Sequence, residues 1–295
     1  MRVLVTGCRG QVGTEVVRAL QDIAEVRAHD RSTLDLADTA SLAARVREAR
    51  PQVIVNAAAY TAVDQAETDE ARAHLVNGEA PGILGEEARR AGAVLLHFST
   101  DYVFDGSKAG PYVEDDPTAP LNAYGRSKLA GERSIAASGC DHVILRTSWV
   151  YGPHGKNFML TMLRLAATRE ELRIVDDQRG APTSSLQLAA LTRELLAPRG
   201  SLEANSLERL RSGRGTYHAT AAGETTWFGF AQAIFETATG LPRRPRLVPI
   251  ASSEFPTPAR RPANSVLSNE RLARAFGARI PPWREGLAQS LSALG

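Results

Sequence analysis

Through the first half of the chain, short runs of aliphatic and β-branched residues alternate with longer stretches whose apolar positions recur every three or four residues. Arg2-Val3-Leu4-Val5-Thr6 is the first run; glycines follow, then a helix-like stretch over 12–20. Positions 26–29 read as a second strand and 52–56 as a third, the latter behind a helical segment over 41–50. Positions 93–98 form a fourth, after a helix ending near Arg90, and 142–146 a fifth, after the helix of "NAYGRSKLAGE". Alternating strands and helices predict parallel βαβ units. The expected fold is therefore α/β, a doubly wound, Rossmann-like parallel sheet that takes its ligand at the carboxyl ends of the strands.

The stretch "VTGCRGQVG" leaves the first strand and spaces Gly7, Gly10 and Gly13 as G-x-x-G-x-x-G, with Gln11 and Val12 at the helix start. Glycine permits a tight turn and lets backbone N–H groups approach a pyrophosphate at the positive end of a helix. A plain packing turn uses the same spacing, but the place after the first βαβ strand favours a dinucleotide. Cys8 in this loop reads as a small filler. At the end of the second strand, Asp30 suits adenosine ribose hydroxyls and Arg31 suits a 2′-phosphate, so the two argue for opposite cofactors. Asp35 and Leu36 stand where the adenine would lie. Ala57, Ala58 and Ala59 either pack against the cofactor or form an ordinary loop.

Only three of the 35 basic residues are lysine, and Lys128 follows Tyr124 by four positions. On a helix that spacing puts both side chains on one face. A phenol is a poor proton donor at neutral pH without help, and a nearby ammonium favours its ionised form. Lysine also offers three rotatable donors for ribose hydroxyls, where arginine offers a rigid fork. Ser99 and Thr100 end the fourth strand and bring hydroxyls to the same edge. Asp101 and Asp105 read as turn formers.

Beyond Trp149 the alternation weakens and prolines multiply. Helices are expected over 186–196 and 227–237. Positions 203–215 read as a polar surface loop with Arg209, Arg211 and Arg214 in solvent. The expected division is a dinucleotide-binding part over 1–150 and a mainly substrate-binding part over 151–295, with some late segments returning to the first. A net charge of +2 gives no case for nucleic acid or a membrane surface, and no apolar run is long enough to span a bilayer. Two cysteines and a strand pattern starting at residue 2 fit a reduced, cytoplasmic setting without a signal peptide.

The sequence resembles the extended short-chain dehydrogenase/reductases, and within them the dTDP-4-dehydrorhamnose reductases. The resemblance is carried, in order along the chain, by "VTGCRGQVG", "NAAAYTAVDQAE", "FSTDYVFDG", "YGRSKLAGE", "LRTSWVYG", "NFMLTML", "DDQRGAPTS" and "ARRPANS". It implies hydride transfer from NADPH, with NADH also possible, to the C4 ketone of dTDP-4-dehydro-6-deoxy-L-mannose. It further implies Tyr124 as proton donor, Lys128 tuning it and holding the nicotinamide ribose, and Thr100 binding the reacting oxygen. Tyr102 and Trp149 resemble sugar contacts, or else are ordinary aromatic packing. Val63, Asp64 and Glu67 belong to a loop bordering the substrate. Asn157, Arg179, Arg260 and Arg261 either hold the nucleotide diphosphate or lie on the surface. Some relatives place Mg²⁺ between protomers on glutamates. Glu15 stands at one such position, but Leu186 and "LAQSLSALG" supply no partners, so no metal is expected and the chain is a monomer or homodimer. Two alternatives stay open: a reductase of a different dTDP-4-keto-6-deoxysugar, and a non-catalytic regulatory subunit.

Overall fold

A computed structural model describes residues 1–197 and 203–294. Its centre is a six-stranded sheet of β1 (Arg2–Thr6), β2 (Glu25–His29), β3 (Val53–Asn56), β4 (Val94–Thr100), β5 (Asp141–Thr147) and β6 (Gly215–His218), ordered β6-β5-β4-β3-β1-β2. Every pairing in it is parallel. The strands appear where the apolar runs place them, but β4 extends to Thr100. That carries Ser99 and Thr100 to the strand end, with Thr100 opposite Thr147 of β5.

The period of two along each strand sorts the side chains onto two faces. Leu4, Ile54, Leu95 and Ile144 pack on one face. There they meet α2 (Thr39–Ala49), α3 (Ala80–Ala91) and α4 (Ala123–Ser138) through Leu42, Val46, Leu84 and Ile135. Val3, Val5, Val55, Leu96 and Val143 pack on the other face with Val16 and Leu20 of α1 (Gln11–Leu20). That second core runs on without a break into Met159 of α5 (Phe158–Ala166), Leu188 of α6 (Ser185–Leu196) and Phe230. Each fully buried Leu or Val contributes roughly 1.5–3 kcal/mol relative to exposure.

Positions 203–215 are not the expected loop, since α7 (Glu203–Ser212) fills most of them. Leu207 and Leu210, three apart, are buried against the core, so the polar composition concealed a narrow apolar stripe. Arg209 is not in open solvent either: its guanidinium lies 5.5 Å from the Phe276 ring centroid and donates to Phe276 O. Arg211 donates to Gly92 O at 3.0 Å.

After β5 the chain builds small strand pairs above the sheet edge. Val150–Tyr151 pairs with Thr183–Ser184, Glu171–Val175 with Arg246–Ile250, and Arg179–Gly180 with Thr225–Thr226. Helix α8 (Trp227–Thr237) follows the last of these, as the sequence pattern expects. Among the described residues no helix is long and apolar enough to cross a membrane.

The helix that carries Tyr124 and Lys128 is fixed at both ends. Asn122 Oδ1 accepts from Gly125 N at 2.8 Å, Glu67 accepts from Ala123 N at 2.7 Å, and Gly139 closes the helix at φ +70°. Its middle is pressed against a π-helical turn, Leu75–Glu79: a Cβ on Gly131 would lie 2.0 Å from Asn77 O. Helix propensity alone favours Gly→Ala by about 1 kcal/mol. Here the clash is with backbone and decides the sign. Gly131→Ala should lower stability by about 1–3 kcal/mol in urea unfolding followed by circular dichroism.

Candidate active site

Parallel strands deliver all their carboxyl ends to one edge, and the loops there enclose a cleft of about 720 Å³. At one end the chain leaves β1 through Gly7, at φ +69°, where a Cβ would meet Ala58 backbone at 2.8 Å. Gly13 lies beneath the turn, its Cβ position 2.1 Å from Gly7 O. Gly10 opens α1 with no side-chain cap and no acidic residue in the first turn. The positive end of that helix therefore faces the cleft that Gly7, Gly10, Gln11 and Val12 line, a cradle suited to a pyrophosphate. Ala57, Ala58 and Ala59 line the same wall, and Asp35 and Leu36 lie further along it.

Asp30 lines the cleft at the end of β2. Its carboxylate accepts from the Ser32 hydroxyl at 2.6 Å and pairs with Arg9 Nε at 2.7 Å. These contacts, the Ser32 hydroxyl foremost, hold its carboxyl below the usual range. Arg31 instead pairs with Asp35 at 3.3 Å. Two guanidinium groups thus flank this corner. Arg9, in the quoted glycine turn but not singled out from the sequence, is the one that neutralises Asp30.

At the other end, Tyr124 and Lys128 face the cleft from α4, and Thr100 faces it from β4. Burial pushes the Tyr124 phenol up to about 12; a hydrogen bond with Thr100 opposes this and the Asp101 charge adds to it. The sequence reading expects Lys128 to lower that value. The structure gives the opposite direction because desolvation dominates and the ammonium is tethered elsewhere. Lys128 Nζ donates to Phe98 O at 2.7 Å and lies 3.2 Å from His97 Nε2. Its own burial, at 1% exposure, brings it down to about 8, against the pull of the Glu132 charge. Glu132 in turn accepts from Ser99 at 2.5 Å and, side-on, from Nε and Nη2 of Arg146.

Asp101 proves to be more than a turn former. It is buried, accepts from Thr100 Oγ1 at 3.0 Å and from Ser148 at 3.2 Å, and burial raises its carboxyl to about 6. Tyr102 meets Tyr124 edge to face, ring centroids 5.8 Å apart. Trp149 lines the cleft at φ +47° and stacks on Trp227, centroids 3.6 Å apart and planes 6° apart. No local pattern could join those two tryptophans, which stand far apart in the chain. Gly180 makes room for the stack, since a Cβ there would lie 2.4 Å from the Trp149 ring.

Several expected residues stand off the cleft wall. Asn157 caps α5 by accepting from Leu160 N at 3.0 Å, and its amide nitrogen is spent on Gln11, Gly152 O and His154 O. Nothing of it is left for a phosphate. Arg179 is ion-paired with Glu224, and Arg260 is exposed, its carbonyl accepting from Asn122. Val63 does line the cleft, whereas Asp64 is taken up by Arg261 at 2.9 Å. Glu67 holds the start of α4 instead of facing the cleft.

The RmlD substrate binding domain model matches residues 1–295. The chain belongs to this family. It is 50% identical over 289 residues to the dTDP-4-dehydrorhamnose reductase of Burkholderia thailandensis, covering 96% of both chains. The RmlD family likeness extends to solved structures. A dTDP-4-dehydrorhamnose reductase from Clostridium acetobutylicum superposes with a TM-score of 0.90 at 36% identity, over 100% of this chain and 99% of that one. The Bacillus anthracis reductase, solved in complex with NADP, gives 0.89 at 34% identity, over 99% of each.

Asp101 makes a test of the site's electrostatics. Between the unfolded value of 3.8 and about 6, the folded chain keeps a proton that the unfolded chain releases. Wild-type stability should therefore fall as pH rises through that window. Asp101→Asn removes this term. Its stability relative to wild type should rise by about 3 kcal/mol between about pH 4 and pH 7 in urea titrations.

Proposed function

We infer that this chain reduces the C4 ketone of dTDP-4-dehydro-6-deoxy-L-mannose to dTDP-L-rhamnose with a reduced nicotinamide cofactor. The single observation that carries the reading is one cleft with a phosphate-cradling glycine turn at one end and Thr100, Tyr124 and Lys128 at the other. Full-length kinship to reductases of that name, one solved with NADP, supports it. When bound, NADPH supplies the hydride. The residues that fit it are Gly7, Gly10, Gln11 and Val12 at the pyrophosphate, with Arg9, Asp30 and Arg31 at the adenosine end.

Tyr124 gives the proton to the developing C4 alkoxide. A phenol raised to about 12 is fully protonated at neutral pH and acidic enough to protonate an alkoxide. Thr100 holds the reacting oxygen beside it once its single hydroxyl proton turns from Asp101 toward the substrate. An ammonium has three donors; Phe98 O and His97 take two of those on Lys128, which leaves one for the ribose. Tyr102, Trp149 and Val63 border the sugar, and the Trp149–Trp227 stack keeps water from that side. Of the segments from 151 onward, Gly155, Lys156 and Trp227 reach the cleft, and the rest of its lining comes from earlier residues. With both cysteines free, we place the reaction in the cytoplasm and expect a monomer or homodimer.

Three variants test this reading. Tyr124→Phe keeps the ring but deletes the proton. It should fold and bind NADPH while kcat falls about 10²- to 10⁴-fold, measured by NADPH absorbance with the dTDP-4-keto sugar and product identification by NMR. A folded Tyr124→Phe enzyme turning over at wild-type rate would sink the assignment. At the adenosine corner, Arg9→Ala and Arg31→Ala should each weaken NADPH more than NADH, because removing either guanidinium leaves a 2′-phosphate facing Asp30 with less screening. Equal losses for both cofactors in fluorescence titrations would count against these arginines.

A further inference from the structure

Lys128 is not placed by its own helix alone. His97, on β4 with no solvent exposure, has Nε2 3.2 Å from Lys128 Nζ and Nδ1 2.9 Å from the Asn56 carboxamide. Asn56 ends β3, is equally buried, and its Oδ1 accepts from Thr6 Oγ1 of β1 at 2.6 Å, with Nδ2 toward His97. Thr6 Oγ1 accepts from Ala58 N at 3.3 Å, next to the backbone that faces the glycine turn. Four buried polar side chains from β1, β3, β4 and α4 thus form one chain across the carboxyl edge of the sheet.

Counting protons selects between two states of this chain. If the Asn56 amide nitrogen donates to His97 Nδ1, the ring proton must sit on Nε2, where it faces Lys128. Two donors then oppose each other unless Lys128 is uncharged. If the carboxamide is turned by 180°, its oxygen accepts from Nδ1–H and the Nε2 lone pair accepts from the ammonium. Only the second state leaves Lys128 charged without an opposing donor on His97, at the cost of turning the Asn56 amide nitrogen toward Thr6 Oγ1, which then loses its acceptor. Burial, with the Lys128 charge next, keeps the imidazole neutral well below its usual range, as that state requires.

We propose that His97 is a positioning residue for the reduction: as the Nδ1–H tautomer fixed by Asn56, it holds the Lys128 ammonium charged and aims its remaining donor at the cleft. The inference rests on the role given to Lys128 above. The other titratable groups around the chain are Glu132 on α4, held by Arg146 of β5, His142 on β5, and Tyr124 one turn before Lys128. None of them supplies a lone pair where Nε2 does.

The test compares His97→Phe, which keeps a ring without nitrogens, with His97→Gln, whose amide oxygen can accept from Lys128. His97→Phe should lower kcat about tenfold to a hundredfold, with little change in KM for the keto sugar. It should also move the alkaline limb of kcat/KM to lower pH by roughly one unit, because the ammonium has lost an acceptor. His97→Gln should recover most of both. In ¹⁵N-histidine spectra of the NADP-bound wild type, His97 should carry its proton on Nδ1. Equal losses in the two variants with an unmoved alkaline limb overturn the proposal and leave His97 as packing, and so does an Nε2–H tautomer. If His97→Phe fails to fold, the His97→Gln profile and the tautomer decide. Lys128→Met at wild-type rate would instead remove the reading of the site itself, and is distinguished by failing before His97 is touched.

Discussion

A lysine ammonium with 1% exposure is the constraint around which this cleft is organised. Removing such a group from water costs several kcal/mol unless its donors are met, so the surrounding elements must meet them. Phe98 O comes from a strand end, which is why β4 has to run past residue 98 before it turns. His97 comes from the preceding strand position; Glu132, on the next turn of α4 and itself restrained by Ser99 and Arg146, contributes only its charge. The caps that fix α4, at Asn122, Glu67 and Gly139, serve the same end, because a helix free to slide would leave the charge unpaired.

Desolvation sets the direction of nearly every shifted group at that end of the cleft. Tyr124, Tyr102 and Asp101 are pushed up and Lys128 down, each with burial as the largest cause. Their neutral forms are thereby favoured. A protonated phenol is what a proton donor needs, and an amine near neutrality responds readily to the charges beside it. At the adenosine end the opposite holds. Asp30 is held low by Ser32 and Arg9 near solvent, so that corner is governed by hydrogen bonding and charge pairing.

Much of this was legible in the sequence, because period and position carry it. The five early strands follow from short aliphatic runs, and Tyr124, Lys128 and Thr100 follow from spacing and a strand end. What escaped was of three kinds. Residues joined only by tertiary packing gave no local signal, as with Trp227 on Trp149 or Asn56 on His97. Polar composition masked α7, whose apolar stripe is just Leu207 and Leu210 among the described side chains. Finally, residue type was read as chemistry where it serves architecture. Asn157 has the right groups for a phosphate, yet its oxygen caps a helix and its amide nitrogen is taken up by Gln11 and the carbonyls of Gly152 and His154.

The sixth strand has a consequence for how this molecule can be cut or recombined. Gly215–His218 completes the sheet beside β5, and α6 covers α1 through a core continuous with the later segments. A cofactor module excised at residue 150 would leave an unpaired strand edge and a bare apolar helix face. During synthesis the same geometry makes the nucleotide half wait for residues made some seventy positions later. Shuffling sugar specificity between such enzymes by a single crossover after β5 would therefore exchange part of the scaffold along with the recognition surface. Grafts confined to the loops around Trp149 and Trp227 would leave the sheet intact.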